Sequence, residues 1–202
     1  DHCPIVALAI AADGQKHALG LWDGSTENAT VCQGLLANLQ SRGLRTDRSL
    51  LVILDGSKAL RKAVRATFGD AALVQRCQVH KMRNILEYLN DHQRPWAQAI
   101  LRRAYQSTDV KTAQRLLLDL ARRLETEHPS AAESVREGLD ETLTVLTLNL
   151  SARLRRSLAT TNAAESLLSR TRHVKRNVKR WRSGQMMLRW VAASVLEAVR
   201  GF

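Results

Sequence analysis

A chain of 202 residues, 45% of them hydrophobic, is long enough for one substantial core or a core with a satellite subdomain. No run is long and apolar enough to span a membrane, and no signal peptide is read at its start. Three scattered cysteines, Cys3, Cys32 and Cys77, cannot frame a disulfide scaffold, so a reducing, cytosolic setting is expected.

The net charge of +12 is unevenly placed. It is −1 over residues 1–50 (four basic, five acidic) and +4 over 51–90 (seven, three). It is −1 again over 91–150 (eight, nine), then +10 over 151–202 (twelve, two). Positive charge therefore gathers around two isolated acids, Asp55 and Glu165. That pattern suits a polyanion whose phosphate is brought to a metal.

Ile5 to Ile10 run into Asp13-Gly14, a hairpin turn signal, and His17 to Trp22 return, with Trp22 expected in the core. Asp23 to Glu27 read as a turn and helix start, Glu27 being a first-turn acid favoured by the helix dipole. Ala29 to Gln40 form an amphipathic helix closed by Gly43. Leu50 to Leu54, continuously apolar, predict a strand covered on both faces with Asp55 at its C-terminal tip, where ligands and chemistry collect in α/β sheets. Gly56 lets the chain leave that strand, and Ser57 caps a helix. Leu60, Ala63, Val64 and Phe68 form its apolar face, Lys58, Arg61, Lys62 and Arg65 fall largely on the other, and Gly69 ends it. A second buried strand, Ala71 to Val74, leads into Gln75 to Asn84.

Ile85 to about Ser157 have apolar residues at helical spacing, with Pro95-Trp96 opening one helix and Pro129 and Gly138 as breaks. The nearly balanced charge of this stretch suggests packing, hairpin or partner contacts. Asn162 reads as an N-cap with Glu165 three residues later, so spacing alone divides Glu165 evenly between a capping box and catalysis. A basic run follows, Arg170, Arg172, His173, Lys175, Arg176, Lys179, Arg180 and Arg182, and then an apolar helix, Met186 to Val199, which Trp181 and Trp190 are expected to anchor. Cys77 and His80 form C-x-x-H, but structural zinc wants four ligands and no second pair has suitable spacing.

The string DGSKALRKAVRATFGDAALVQRCQVHKMRN, beginning at Asp55, closely resembles the segment around the second catalytic aspartate of Mutator-type bacterial insertion-sequence transposases. ATTNAAES, from Ala159 to Ser166, resembles the TTNxxE segment that carries the last of the family's three catalytic carboxylates. DGQKHALGLWDGSTENA extends the resemblance towards the start, so it covers nearly the whole chain.

This resemblance implies an α/β fold: a ribonuclease H-like mixed sheet with helices, its first strand missing, interrupted by an all-α insertion. The corresponding segments are 1–85 (core, first part), 86–157 (helical insertion) and 158–202 (C-terminal core helices with the last acid). It implies metal-dependent cleavage of DNA and strand transfer by a DDE transposase without a covalent enzyme intermediate. Asp55 and Glu165 would be catalytic metal ligands for two Mg²⁺ ions, Mn²⁺ substituting. The first catalytic aspartate would lie several residues before Asp1, itself only a fallback, so this fragment is expected to be inactive alone. Lys58, Arg61, Lys81, Arg83, Arg170, Arg172, Lys175, Arg176 and Lys179 are the expected DNA contacts. Cys77, His80 and Asn162 form a structural motif near the site. Trp96 is expected in the core, with stacking on an opened DNA base as the other reading. The implied partners are double-stranded DNA, both insertion-sequence ends and target, and further copies of the full-length protein. The implied location is the bacterial cytoplasm, at the nucleoid. Two alternatives remain: a non-catalytic DNA-binding remnant of a transposase, and an oligomerisation module built on the helical part.

Overall fold

In chain order the elements are β1 (Ile5–Ile10), β2 (Lys16–Trp22), α1 (Ala29–Ser41), β3 (Leu50–Leu54), α2 (Lys58–Phe68), β4 (Ala72–Arg76) and α3 (Gln78–Glu87). They continue as α4 (Arg94–Gln106), α5 (Val110–Leu124), α6 (Pro129–Arg136), α7 (Leu139–Thr142), α8 (Thr144–Thr147), α9 (Ala152–Leu158), α10 (Asn162–Lys175) and α11 (Gly184–Arg200). This computed structural model describes residues 5–22, 28–175 and 184–200. The fold mixes α and β, and no helix among the described residues is long and apolar enough to cross a membrane. Contacts divide the chain into two units. The first takes Asp1–Leu50, Lys58–Ala72 and Asn162–Phe202, and the second takes Leu51–Ser57 and Leu73–Thr161.

In the first unit, β1 and β2 pair antiparallel around Asp13-Gly14. Gly14 stands at φ +86°, and the Asp13 carboxylate accepts the Gln15 N–H at 2.9 Å, which is how an Asp-Gly turn closes. A register shift between Ala7 and Leu8 bulges the ribbon. Val6, Leu8, Ala18 and Leu21 pack against Leu167 of α10 and Met187, Val191 and Val195 of α11. Those last three recur every four residues, one stripe of a helix. Trp190 lies just off that stripe and is 42% exposed, so it does not anchor the helix as expected. Asn28 caps α1 by accepting the Val31 N–H, and the helix buries Cys32, Leu35, Leu36 and Leu39. Gly34 lets α1 lie on Trp22, whose ring would be 3.1 Å from a Cβ there. On α2, Ala63, Val64 and Phe68 are buried while Lys58, Arg61, Lys62 and Arg65 are exposed, as the spacing predicts.

The second unit joins a strand pair to a helical body. Asp109 caps α5 by accepting the Thr112 N–H at 2.8 Å. Ala113, Leu117, Leu120, Ala121 and Leu124 of that helix are buried, an i, i+4, i+7, i+8, i+11 stripe packed with Ile85, Leu101, Val135 and Leu143. Pro129 opens α6, and Gly138, at φ +62°, turns the chain into α7. Trp96 is 38% exposed because it stands one position before Ala97, the first residue of the buried stripe of α4.

Four expectations shift. Strand pairing among the described residues gives two separate two-stranded sheets, β1-β2 and β3-β4, not one mixed sheet. Only Leu54 of β3 is buried, because a strand with a single paired neighbour keeps an open edge. Leu73, in the second strand, is 38% exposed between buried Ala72 and Val74. Helix resumes at Gln78, where Cys77 (φ −59°, ψ 114°) turns the chain, well before Ile85. Asp1, Cys3, Asp23 to Glu27, Arg176, Lys179, Arg180, Trp181 and Arg182 lie outside the described residues, as do the side chains of Arg172, His173 and Lys175.

Candidate active site

Asp55 follows the last residue of β3 and is exposed. Gly56, at φ +114°, bends the chain away, and the Asp55 Oδ1 accepts the Ser57 N–H at 3.1 Å. The Cys77 N–H donates to the Leu54 carbonyl at 2.7 Å, so the C-terminal ends of β3 and β4 lie side by side. Two strand ends and the start of α3 thus hold the backbone next to the carboxylate.

The same turn holds the stretch that leads to Glu165. Cys77, 1% exposed, accepts the Thr161 N–H on its sulfur at 3.4 Å. The Thr161 hydroxyl lies 3.4 Å from His80 Nδ1, and the Gln78 N–H donates to the Ala159 carbonyl at 2.9 Å. The C-x-x-H spacing therefore does local work: one helical turn sets both side chains towards Thr161. Thr161, which the TTN string contains, is where the contacts of Cys77 and His80 meet. Asn162 begins α10 as its first helical residue, one position on from the expected cap, and Glu165 stands half-buried in the first turn. Asp55 belongs to the second unit and Glu165 to the first.

Behind β4 runs a buried polar seam that no periodicity announced. Gln75 Nε2 donates to the Thr142 carbonyl at 2.9 Å, and Gln78 Nε2 does so at the same distance. The Val145 N–H donates to Gln75 Oε1, and the Thr144 hydroxyl to the Val74 carbonyl. Arg76 donates to the Glu137 carbonyl at 3.1 Å and to the Gly56 carbonyl at 3.5 Å. Lys81, placed among the DNA contacts from its charge, is instead 3% exposed and donates to the Glu137 carbonyl at 2.6 Å. Its chemistry is internal. Burial, and then the neighbouring Arg76 cation, lower its pKa to about 8 against the pull of Glu137.

The remaining cations differ in setting. Lys58 and Arg61 on α2 are exposed, as is Arg83 on α3. Arg170 on α10 is exposed and reaches the Ala198 carbonyl at 3.3 Å. Arg172 and Lys175 continue α10 towards Arg176 and Lys179.

A family model described as "Transposase, Mutator family" matches residues 1–200. The chain belongs to the Mutator family of transposases. Among curated members it is 33% identical over 174 residues to a probable transposase for an insertion sequence element of Corynebacterium diphtheriae, covering 85% of this chain and 49% of that protein. It is 31% identical over 173 residues to the transposase for insertion sequence element ISRM3 of Rhizobium meliloti, covering 85% and 42%. It is 30% identical over 171 residues to the transposase for insertion sequence element IST2 of Acidithiobacillus ferrooxidans, covering 85% and 56%. The chain spans about half the length of these Mutator-family relatives.

Proposed function

We propose that this chain is the catalytic part of an insertion-sequence transposase that cuts DNA at element ends and joins the freed 3′-hydroxyls to target DNA. Asp55 and Glu165 would be two of its three acids. One observation carries the reading: Cys77 ties both the β3 end beside Asp55 and the Thr161 end of the segment entering α10, within a chain of transposase-family sequence. The order of hairpin, helix, strand, helix and strand supports a ribonuclease H-like core, with residues 86–157 as its helical insertion. The third acid would come from chain preceding Asp1 in a longer protein.

The Asp55 carboxylate is exposed, with one oxygen engaged by the Ser57 N–H, and hard oxygen donors of this kind fit Mg²⁺. Asp55 and Glu165 would hold the ions, which supply Lewis acidity for in-line phosphoryl transfer. The chain's own work is positional. The Cys77 turn fixes the β3 end, Glu165 projects from the first turn of α10, and Lys58, Arg61, Arg83, Arg170 and the run to Lys179 hold the phosphate backbone. Full-length protein carrying Asp55→Asn or Glu165→Gln should keep DNA binding and lose strand cleavage by orders of magnitude. Normal cleavage by Glu165→Gln in Mg²⁺ would make Glu165 a helix-capping residue and the assignment wrong.

A further inference from the structure

The helical stretch is nearly neutral only in sum. Residues 94–124 hold seven Lys and Arg against two Asp, +5, whereas residues 125–141 hold one Arg against six Asp and Glu, −5. Charge there is segregated. In the positive half, α4 and α5 flank an open groove of about 570 Å³ whose lining includes Arg102, Arg103, Gln106, Ser107, Thr108 and Thr112. Arg94 and Arg122 of the same helices have carboxylate partners in Asp91 and Asp119. Arg102 and Arg103 are exposed, and neither has a hydrogen-bond or ion-pair partner among the described residues. Asp109, next to Thr108 in sequence, turns its carboxylate onto the Thr112 hydroxyl and N–H, which hold its acid below the usual range. A third guanidinium stands close by, since Arg155 Nη1 donates to the Ser107 carbonyl at 3.3 Å while its Nε is buried without a hydrogen-bond partner.

Guanidinium forks beside the Thr108 hydroxyl and the Gln106 amide form a donor set for phosphate oxygens. We propose that the α4–α5 elbow binds the sugar-phosphate backbone of duplex DNA, through Arg102 and Arg103 with the Thr108 hydroxyl and the Gln106 amide. These residues are distinct in sequence from the basic run after Glu165. Binding at the elbow rests on the proposed DNA substrate. Such contacts are blind to base sequence and release counterions, so their signature is a salt slope.

The test titrates the full-length protein with an unrelated 20-base-pair DNA duplex across a range of salt. Arg102→Ala/Arg103→Ala should weaken binding and make log K against log salt shallower by roughly 0.9 per lost phosphate contact. Arg102→Lys/Arg103→Lys should restore most of the slope, which a purely structural defect would not allow. Circular dichroism should show both variants folded, because both positions are exposed. Binding and slope equal to wild type in the alanine variant would overturn the elbow, as would wild type failing to bind duplex. Weakened self-association with unchanged DNA binding would assign the groove to the acidic 125–141 segment of a second copy, and also overturn it. The catalytic reading fails separately, by normal cleavage in the Asp55 or Glu165 variants.

Discussion

Cys77 accepts the backbone N–H of Thr161 on its sulfur across 84 positions of sequence, and its own N–H donates to Leu54. One buried residue thus holds the chain immediately before Asp55 and the chain immediately before α10.

Cys77→Ala should cost about 1–2 kcal/mol of stability, from the lost sulfur contact and the small void it leaves, read by denaturant unfolding. In the full-length transposase, cleavage should fall tenfold or more with DNA affinity unchanged, and Cys77→Ser should recover part of it. Loss of stability without loss of cleavage would reduce Cys77 to packing.

Lys81 gives the pH dependence a sign. Its pKa is lowered from 10.5 to about 8 in the fold, so between those values the unfolded chain holds a proton that the folded chain has released. Stability from this group therefore rises with pH across that window. Burial raises the Tyr105 pKa, which acts oppositely, but only as pH climbs past about 10, where the unfolded phenol ionises first. The difference in unfolding free energy between wild type and Lys81→Met should climb from pH 7.5 to 9.5. A flat difference would show that Lys81 titrates as it does in water.

Gly138→Ala should be more costly than Gly14→Ala. Both stand at positive φ, a strain of about 1–2 kcal/mol for alanine. A Cβ on Gly14 meets nothing within 4 Å, whereas on Gly138 it would lie 2.6 Å from Arg76 Nη1 and 2.9 Å from its Cδ. Arg76 cannot simply swing aside, since it bonds the carbonyls of Glu137 and Gly56. A loss of roughly 2–3 kcal/mol at Gly138 against about 1 at Gly14 is expected in urea unfolding.

Replacing Arg172, Lys175, Arg176 and Lys179 together by alanine should weaken binding to unrelated duplexes alike. The salt slope should drop by roughly 0.9 for each contact removed. An unchanged slope would mean that these residues make no phosphate contact.

What the sequence disclosed was local. Asp13-Gly14 announced the hairpin, the 3.6 period of Leu60, Ala63, Val64 and Phe68 announced α2, and the apolar run before Asp55 announced β3. The polar seam was hidden because its partners are remote: Gln75 meets Thr142 across 67 positions and Lys81 meets Glu137 across 56. A lysine beside other cations reads as surface until its carbonyl partner is known. The Thr161 contacts were hidden for a related reason, since sulfur and hydroxyl bonds across the chain leave no period. Glu137-Gly138 was the one available hint, a glycine where the backbone turns left-handed against Arg76.

The first unit can close only after α10 and α11 have been made. The hairpin face of Val6, Leu8, Ala18 and Leu21 is covered by α10 and α11, which begin some 140 positions after Trp22. At ~5–20 residues per second, a ribosome leaves that apolar ribbon without its cover for roughly 7–28 s. Meanwhile the second unit is complete once Thr161 has emerged. The nascent chain should therefore fold its later-starting half first, and holdase chaperones that bind exposed hydrophobic ribbons should engage the hairpin until α11 has emerged.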